Sequence, residues 1–562
     1  LEKAAYQFVD TDGDLYSNIR HAYECFPRKI AFEFMGKKTS YASFNAQIDR
    51  AAKALLALGV QEGEIVGIAM PNAPQAVILF YALNKIGAVA NMIHPLSSEN
   101  EMEQFLNRVH ARTLLMMDRF YGSVQHIRRS TGLENIIIAA VSDALPGYMK
   151  LPYWLTAGRK IKKIPLGEKV IFWKDFLKLG DGTESFREIH NNADKMALIL
   201  HSGGTTGKIK GVCLSNRNIN CSVRQMLSFN PMLCPEDKML TVMPIFHGNG
   251  LIVGLHLMLS TGAECVLIPR FTPASYAKDL VKHRCNYISG VPALFGRIME
   301  VPALQKADLS FLKGVFSGAD FLSEEMEHRV NAFLAAHHSP VFVRQGYGMT
   351  EGVVATTLMP PDCTRPGSIG KPFPGVTLKI VKPGTDAELP CGEIGEIAFS
   401  SVTNMMGYYD DPQETAITLM RHSDGLTYIH SGDLGSVDKE GFVYFKGRIK
   451  RMIVTNGYNV FPIELENTIE SHPMVDRCCV LGVPDRERTE RVKAYIVLKP
   501  GFEPNEKNER ILRDYFYGHI ARYAVPREIE FMSELPKTKV GKTDFAALLR
   551  KETSNDDKNA AN

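Results

Sequence analysis

Residues 196–220 read MALILHSGGTTGKIKGVCLSNRNIN, and the order of signals in this stretch decides how the chain is built. Met196 to Leu200 is a short apolar run of the kind that forms a buried strand. It opens into His201 to Gly211, where Gly203, Gly204 and Gly207 permit tight turns and close backbone approach, so that successive N–H groups can face anionic oxygens. Ser202, Thr205 and Thr206 add hydroxyl donors, and Lys208 and Lys210 add positive charge. That is the chemistry of a polyphosphate cradle, although a surface hairpin would tolerate the same composition. It is not a Walker A loop, which needs four residues between its glycine and Gly-Lys and then Ser or Thr. Here Gly203 and Gly207 enclose three, and Ile209 follows Lys208. The loop leads back into an apolar run, Val212 to Leu214. Only then does Ser215 stand as an N-cap for a helix at Asn216 to Leu227.

Outward from this loop the same alternation holds. Phe44, Ile48, Ala51, Leu55 and Leu58 recur at helical spacing, with Gly59 as the C-terminal stop. Apolar runs at Ile65–Ala69, Ala88–Ile93, Leu114–Met117 and Ile136–Val141 read as buried strands, and a helix opens at Pro74. Strands alternating with helices indicate an α/β fold with parallel pairing. The 562 residues exceed one domain. After a junction near Gly447 to Arg451, strand signals at Arg477–Val483 and Val492–Leu498 and a helical run at Asn508–Arg522 describe a small α+β unit. The expected organisation is a large N-terminal body of several subdomains over 1–447, with β-sheets flanked by helices. A small C-terminal α+β domain over 448–552 and a disordered polar tail over 553–562 complete it.

Composition narrows the classes. Hydrophobic residues make up 45% and charged residues 23%, which excludes wholesale disorder, and a net charge of +3 gives no argument for a nucleic-acid partner. Ten cysteines lie scattered without CxxC or zinc spacing, so a reducing, cytoplasmic compartment is expected rather than a disulfide scaffold. The first residues lack an apolar signal core. Gly250 to Ile268, the most hydrophobic window, contains His256, Glu264 and a Thr261-Gly262 turn, and reads as a buried helix followed by a strand. One segment departs from the rest. Residues 144–167 hold Lys150, Arg159, Lys160, Lys162 and Lys163, no acid, and Tyr148, Tyr153 and Trp154. Pro146, Pro152 and Pro165 oppose one long helix. The segment reads either as an inserted loop packed on the domain or as a peripheral contact with an anionic membrane.

Further strings complete the pattern: Met243-Pro244-Ile245-Phe246-His247-Gly248, Ser317-Gly318-Ala319-Asp320, Gln345-Gly346-Tyr347-Gly348-Met349-Thr350-Glu351, His430-Ser431-Gly432-Asp433, Gly447-Arg448-Ile449-Lys450, Thr455-Asn456-Gly457-Tyr458-Asn459 and Leu535-Pro536-Lys537-Thr538-Lys539-Val540-Gly541-Lys542. With Ser-Gly-Gly-Thr-Thr-Gly-x-x-Lys-Gly at 202–211, they resemble, in order and over about residues 15–550, the signature blocks of the adenylate-forming superfamily, in its acyl-CoA synthetase branch. Ile209 stands where that family often has proline.

The resemblance implies a set of roles. Ser202, Gly203, Gly204, Thr205, Thr206, Gly207 and Lys210 would hold the phosphates of ATP. Gly318 and Ala319 would flank adenine, Tyr347 would stack on it, and Gln345 would accept from its amino group. Thr350 would bond the α-phosphate and Glu351 would coordinate Mg²⁺, a hard cation that prefers carboxylate oxygen. Asp433 would accept from both ribose hydroxyls, with Arg448 beside it. His247 would border the carboxylate of the substrate, and Gly250, Gly254 and Gly348 would line an acyl pocket. Glycines at i and i+4 leave a groove on a helix face, though close packing of a core helix uses the same pattern. Gly457, Tyr458 and Asn459 would line a CoA tunnel, Lys450 would be the hinge, and Lys542 would reach the carboxylate and α-phosphate. No Asp stands in the His247 block to pair an α-ammonium, so an amino-acid substrate is not expected.

The implied function is ATP-dependent activation of a medium- or long-chain fatty acid to acyl-AMP, then transfer to CoA. A carrier-protein thiol as acceptor, an aromatic acid as substrate, and a non-catalytic membrane-surface module are the other readings.

Overall fold

The computed structural model describes residues 9–161, 164, 169–182, 193–203, 209–455, 458–485, 489–538 and 543–560, the last eight by backbone alone. Four sheets organise them. The strand Met196–Gly203 lies near one end of an eight-stranded sheet, between Val89–Met92, which it joins in parallel, and Ile209–Ser215, which returns antiparallel to it with Ile199 opposite Cys213. Strands Ile65–Ala69, Thr113–Met117, Asn135–Ala139 and Val170–Phe172 continue the sheet in parallel, as βαβ crossovers require. Ser215 caps the helix Asn216–Ser228 by accepting from the Asn218 N–H. The cradle loop is thus anchored on both sides by strands.

A second, nine-stranded sheet has Tyr287–Gly290, Gly314–Ser317 and Val343–Tyr347 as parallel neighbours. Between the layers lies Pro74–Lys85, a helix buried on every side, packed on Tyr41–Ala57 and Leu15–Cys25. The Tyr41–Ala57 helix buries Phe44, Ile48, Ala51 and Leu55 completely, and Gly59 takes the left-handed φ of +85° that lets the chain turn away.

Gly250–Ile268 is a buried helix followed by the strand Glu264–Leu267, and its first part, Asn249–His256, is wound as a π-helix. Among the described residues no helix is long and apolar enough to cross a membrane.

A third sheet pairs Thr427–Val437 with Gly395–Ser400 and Val443–Arg448. The chain then leaves it, and strands from Ile453–Thr455 onward form a separate five-stranded sheet with its own core of Ile453, Val480, Ile496, Leu512 and Phe516.

No one long helix runs through the described part of 144–167: Pro146 stands at the N-cap of the ten-residue helix Gly147–Thr156, which contains Pro152, and a separate 3-10 turn follows at Gly158–Lys160. One expectation changes. The polar end expected to be disordered continues as backbone helix to Ala560. Buried Glu552 supplies the reason: it accepts from Lys493 Nζ at 2.9 Å and from the Tyr495 hydroxyl, fixing the helix on the sheet just before that polar run.

Candidate active site

The site assembles where strand ends of three sheets meet. At the cradle, Ser202 Oγ donates to Glu351 Oε1 at 3.2 Å, and the Tyr408 hydroxyl donates to the same oxygen at 2.9 Å. Glu351 is buried in the single 3-10 turn Thr350–Gly352, with Thr350 half-buried beside it. The structure therefore brings Ser202, Thr350 and Glu351 together from segments 149 residues apart.

Tyr408 arrives because Gly407–Tyr408 pairs antiparallel with Ile209–Ser215, setting Tyr408 opposite Val212. The same pairing seats Lys210 against Glu414, with its ammonium 5.0 Å from the Tyr408 ring centroid. Lys210 is thus already ion-paired rather than held open for phosphate. Tyr408 and Glu414 were not singled out from sequence. Their signal was present in Gly407-Tyr408-Tyr409-Asp410-Asp411-Pro412-Gln413-Glu414, an aromatic turn leading into an Asp411-capped helix. Gly204, Thr205, Thr206 and Gly207 lie outside the described residues. At the neck of the loop, His201 Nε2 is 2.6 Å from Asn91 Oδ1, and burial pushes its imidazole down to about 3, so it is neutral.

The second cluster lies at the C-terminal ends of Gly314–Ser317 and Val343–Tyr347, where open parallel sheets bind ligands. Ser317 is registered with Gln345. Ser317 Oγ and Gln345 Oε1 are buried without a hydrogen-bond partner, side by side. Buried polar groups are nearly always satisfied, so this pair has hydrogen-bonding capacity left for a polar ligand or water. Gly318 follows, and Ala319 takes a φ of +65°, a strained conformation for alanine that turns the chain at the site.

From Tyr347 the hydroxyl donates to Asp433 Oδ2 at 2.9 Å, and Arg448 Nε lies 3.3 Å from Asp433 Oδ1. The register of Thr427–Val437 with Val443–Arg448 sets Asp433 opposite Arg448. Burial, reinforced by the Asp433 charge, holds the Tyr347 phenol well above its ordinary value, so it stays a donor. Phe445 lies 5.9 Å from the Tyr347 ring centroid and adds an aromatic wall.

Behind Asp433 stands a chain of side-chain groups of which the sequence strings held only His430. Glu396 accepts from Gly432 N–H and Gly384 N–H, each at 3.0 Å. It also pairs with His430 Nδ1 at 2.9 Å, and His430 Nε2 lies 2.9 Å from His422 Nε2. Burial works to raise the Glu396 pKa, but His430 and the two amides outweigh it and hold the carboxyl below its ordinary value. The turn that presents Asp433 is pinned by this carboxylate.

The acyl side corrects an expectation. A Cβ on Gly250 would stand 2.1 Å from Pro244 O, and one on Gly254 would stand 3.3 Å from Thr241 Cγ2. Both glycines let the π-helix close onto residues 241–244, so they leave no groove and the close-packing alternative holds. Gly348 likewise admits Val354, whose carbonyl oxygen lies 2.1 Å from the Cβ position. His247 is half-buried, its ring 4.8 Å from Phe246, which in turn lies 4.4 Å from His94.

In the C-terminal unit, Lys450 is exposed on the short turn Ile449–Arg451. Its neighbour Arg451 donates to Glu466 at 2.7 Å and to Val480 O at 3.2 Å, and its guanidinium lies 3.6 Å from the Phe545 ring centroid. Tyr458 and Asn459 are exposed, with Tyr458 stacked on Tyr523 at 4.5 Å. Gly457 and Lys542 lie outside the described residues. Lys537 and Thr543 form an antiparallel bridge, and the Asp544 N–H donates to Pro536 O at 2.7 Å.

Known proteins resemble the chain over most of its length. The AMP-binding enzyme family profile matches residues 19–409, and the AMP-binding enzyme C-terminal domain profile matches 464–542. The chain is similar to the long-chain-fatty-acid–CoA ligase of Bacillus subtilis (strain 168), 31% identical over 94% of this chain and 93% of that protein. It is 29% identical to the probable 4-coumarate–CoA ligase 1 of Dictyostelium discoideum, over 90% of this chain and 88% of that one. Among solved structures, ATP-bound MatB from Rhodopseudomonas palustris superposes with a TM-score of 0.83 at 25% identity, covering 96% of this chain and 99% of that one.

Proposed function

The chain belongs to the family of AMP-binding enzymes, and from that membership we propose that it is a long-chain fatty acid–CoA ligase working through an acyl-adenylate. A carboxylate does not exchange its oxygen for a thiol directly. ATP supplies a leaving group: the acid's oxygen attacks the α-phosphorus and pyrophosphate departs. The CoA thiol then attacks the acyl carbon, loses its proton, and AMP departs.

The observation that carries the reading is the buried, unsatisfied Gln345 acceptor beside a Tyr347 hydroxyl already committed to Asp433. That arrangement suits an adenine amino group at one end and ribose hydroxyls at the other. Arg448 closes the ribose end, Thr350 offers a hydroxyl toward the α-phosphate, Ser202 would turn its hydroxyl from Glu351 to do the same, and His247 borders the reacting carboxylate. Gly318 and Ala319 form the turn along which the base lies.

Glu351 would hold Mg²⁺. Its Oε1 is taken by two hydroxyls, and the described residues contain no group of three or more His, Cys, Asp or Glu that could hold a metal. A lone carboxylate fits a cation whose remaining ligands are phosphate oxygens and water. When bound, Mg²⁺ neutralises part of the phosphate charge. Lys542 would add a second positive charge at the α-phosphate, delivered by the C-terminal unit turning at Lys450. Its withdrawal opens the way for CoA past Gly457, Tyr458 and Asn459.

The long-chain assignment follows the Bacillus subtilis relative. An aromatic acid is the second reading, favoured by the Dictyostelium 4-coumarate–CoA ligase. Pyrophosphate release, measured with ATP, Mg²⁺ and a panel of long-chain, short-chain and aromatic acids, with and without CoA, separates them. Sustained release that requires CoA and peaks at a long acyl chain is expected. A peak at a cinnamate or benzoate overturns the fatty-acid assignment, and stoichiometric release unaffected by CoA points to a carrier-protein thiol.

A further inference from the structure

Two segments far apart in sequence meet on one surface of the N-terminal body. The helix Gly147–Thr156 turns Met149 and Tyr153 onto the core and leaves its other face in solvent. On that outer face Tyr148 is 75% exposed, Leu151 64%, Trp154 57% and Leu155 47%. Beside it runs the tip of the hairpin formed by Ile30–Phe34 and Lys37–Ser40. The contact is direct: a Cβ on Gly36 would stand 3.1 Å from the Tyr148 hydroxyl. That tip presents Met35, 38% exposed, followed by exposed Lys37 and Lys38.

Each segment alone has an ordinary explanation, since single exposed apolar residues are common. Their coincidence does not. Both place large apolar side chains at the crest, and both surround them with cations: Lys37 and Lys38 on the hairpin, and Lys150, Arg159 and Lys160 on or just after the helix, all exposed. Neither 34–38 nor 144–161 contains a carboxylate. The same acid-free stretch continues in sequence through Lys162 and Lys163. A surface selected only for solubility intersperses both signs of charge. Aromatic and aliphatic side chains ringed by lysine and arginine match the boundary between headgroups and acyl chains, where the rings insert and the cations meet anionic phosphate.

We propose that the outer face of Gly147–Thr156 and the Met35–Lys38 turn together form a docking surface for an anionic lipid bilayer. The occupant is argued from charge: a neutral protein partner would leave five cations unanswered, and a second copy would set this all-positive patch against its own kind. This inference does not depend on the reaction proposed above.

Only two tryptophans exist in the chain, Trp154 and Trp173, and Trp173 is buried, so Trp154 is a built-in reporter. The full chain would be mixed with vesicles of phosphatidylcholine alone, or of equal parts phosphatidylcholine and phosphatidylglycerol. Emission and co-sedimentation would both be followed. The expected result is a blue shift and sedimentation with the anionic vesicles, about ten-fold weaker on neutral ones. W154A/L155A and K37E/K38E should each weaken binding by about ten-fold, while leaving pyrophosphate release on a soluble acid unchanged as proof of folding. Binding that neither pair of substitutions reduces, or no binding to anionic vesicles, overturns the proposal. So does a dimer in sedimentation equilibrium that W154A/L155A dissolves, which would make the patch an interface between copies.

Discussion

The ribose end of the site and the C-terminal unit that faces it are built in opposite ways. Asp433 is buried, bonded to Tyr347 and Arg448, and sits on a turn pinned by Glu396, His430 and His422. Across the joint, Lys450, Tyr458 and Asn459 are exposed on short turns and strands. Rigidity in that unit is found elsewhere, where Arg451 is clamped by Glu466, Val480 and Phe545. The contrast fits the proposed division of labour, in which the body would hold the nucleotide on fixed groups and the C-terminal unit would carry its reactive groups to the site. The clamp fits the proposed hinge at Lys450, since Arg451 is tied to the C-terminal unit by Glu466, Val480 and Phe545.

The largest effect expected from this contrast is at Asp433. D433N removes a charged acceptor that holds Tyr347 and Arg448, and kcat/KM for ATP should fall about 100-fold, as lost charge-assisted hydrogen bonds predict. Steady-state kinetics with ATP varied checks this, and a loss confined to the acid or to CoA would break the comparison. A smaller effect is expected at the clamp. R451A should slow turnover about ten-fold with KM for ATP unchanged, because the loss is of cap placement and not of nucleotide contacts. K450A, which removes no contact, serves as its control.

The smallest effect distinguishes the halves by pH. In the body, His256 is fully buried, with Tyr81 OH and Asn220 Oδ1 each 3.0 Å from its ring nitrogens, and burial lowers its pKa to about 3. The unfolded imidazole, near 6.5, binds the proton first, so this group's stability is full above that value and is lost as pH falls. In the cap, burial raises Glu470 from 4.5 to about 7, so its contribution is full below 4.5 and is lost as pH rises through 7. Between those limits the slopes oppose, each at about 1.4 kcal/mol per pH unit per group. Amide exchange should show the Val475–Asp485 ladder more protected, and the Asn216–Ser228 helix less protected, on acidification from neutrality. E470Q should flatten the cap's response, and it separates Glu470 from His472, whose burial-lowered pKa acts in the other direction.

What the sequence disclosed was local. The strand, loop, strand and capped helix around residues 196–228 stood in periodicity and in Ser215, and the helix at Tyr41–Ala57 stood in its apolar spacing and Gly59. The nucleotide-site strings were visible as strings, and the structure gathers Ser202, Glu351, Gln345, Tyr347, Asp433 and Arg448 into two adjoining clusters. Long-range pairing was not visible. Tyr408 and Glu414 matter only because Gly407–Tyr408 joins Ile209–Ser215, and no local pattern announces that partner. Gly250 and Gly254 were ambiguous because close packing and an open groove ask for the same missing side chain; only the positions of Pro244 and Thr241 decide it. Arg451, in an exposed-looking basic run, is half-buried by contacts with residues 15, 29 and 94 positions away.

The most direct test of the central claim splits the two half-reactions in K542A. Acid-dependent exchange of pyrophosphate into ATP should fall at least about 100-fold, since the variant lacks the cation proposed to reach the α-phosphate. Conversion of presynthesised acyl-AMP and CoA to thioester should stay within about three-fold of the parent, because that step needs the lysine withdrawn. Equal loss in both half-reactions would contradict the account, and so would full exchange activity without Lys542.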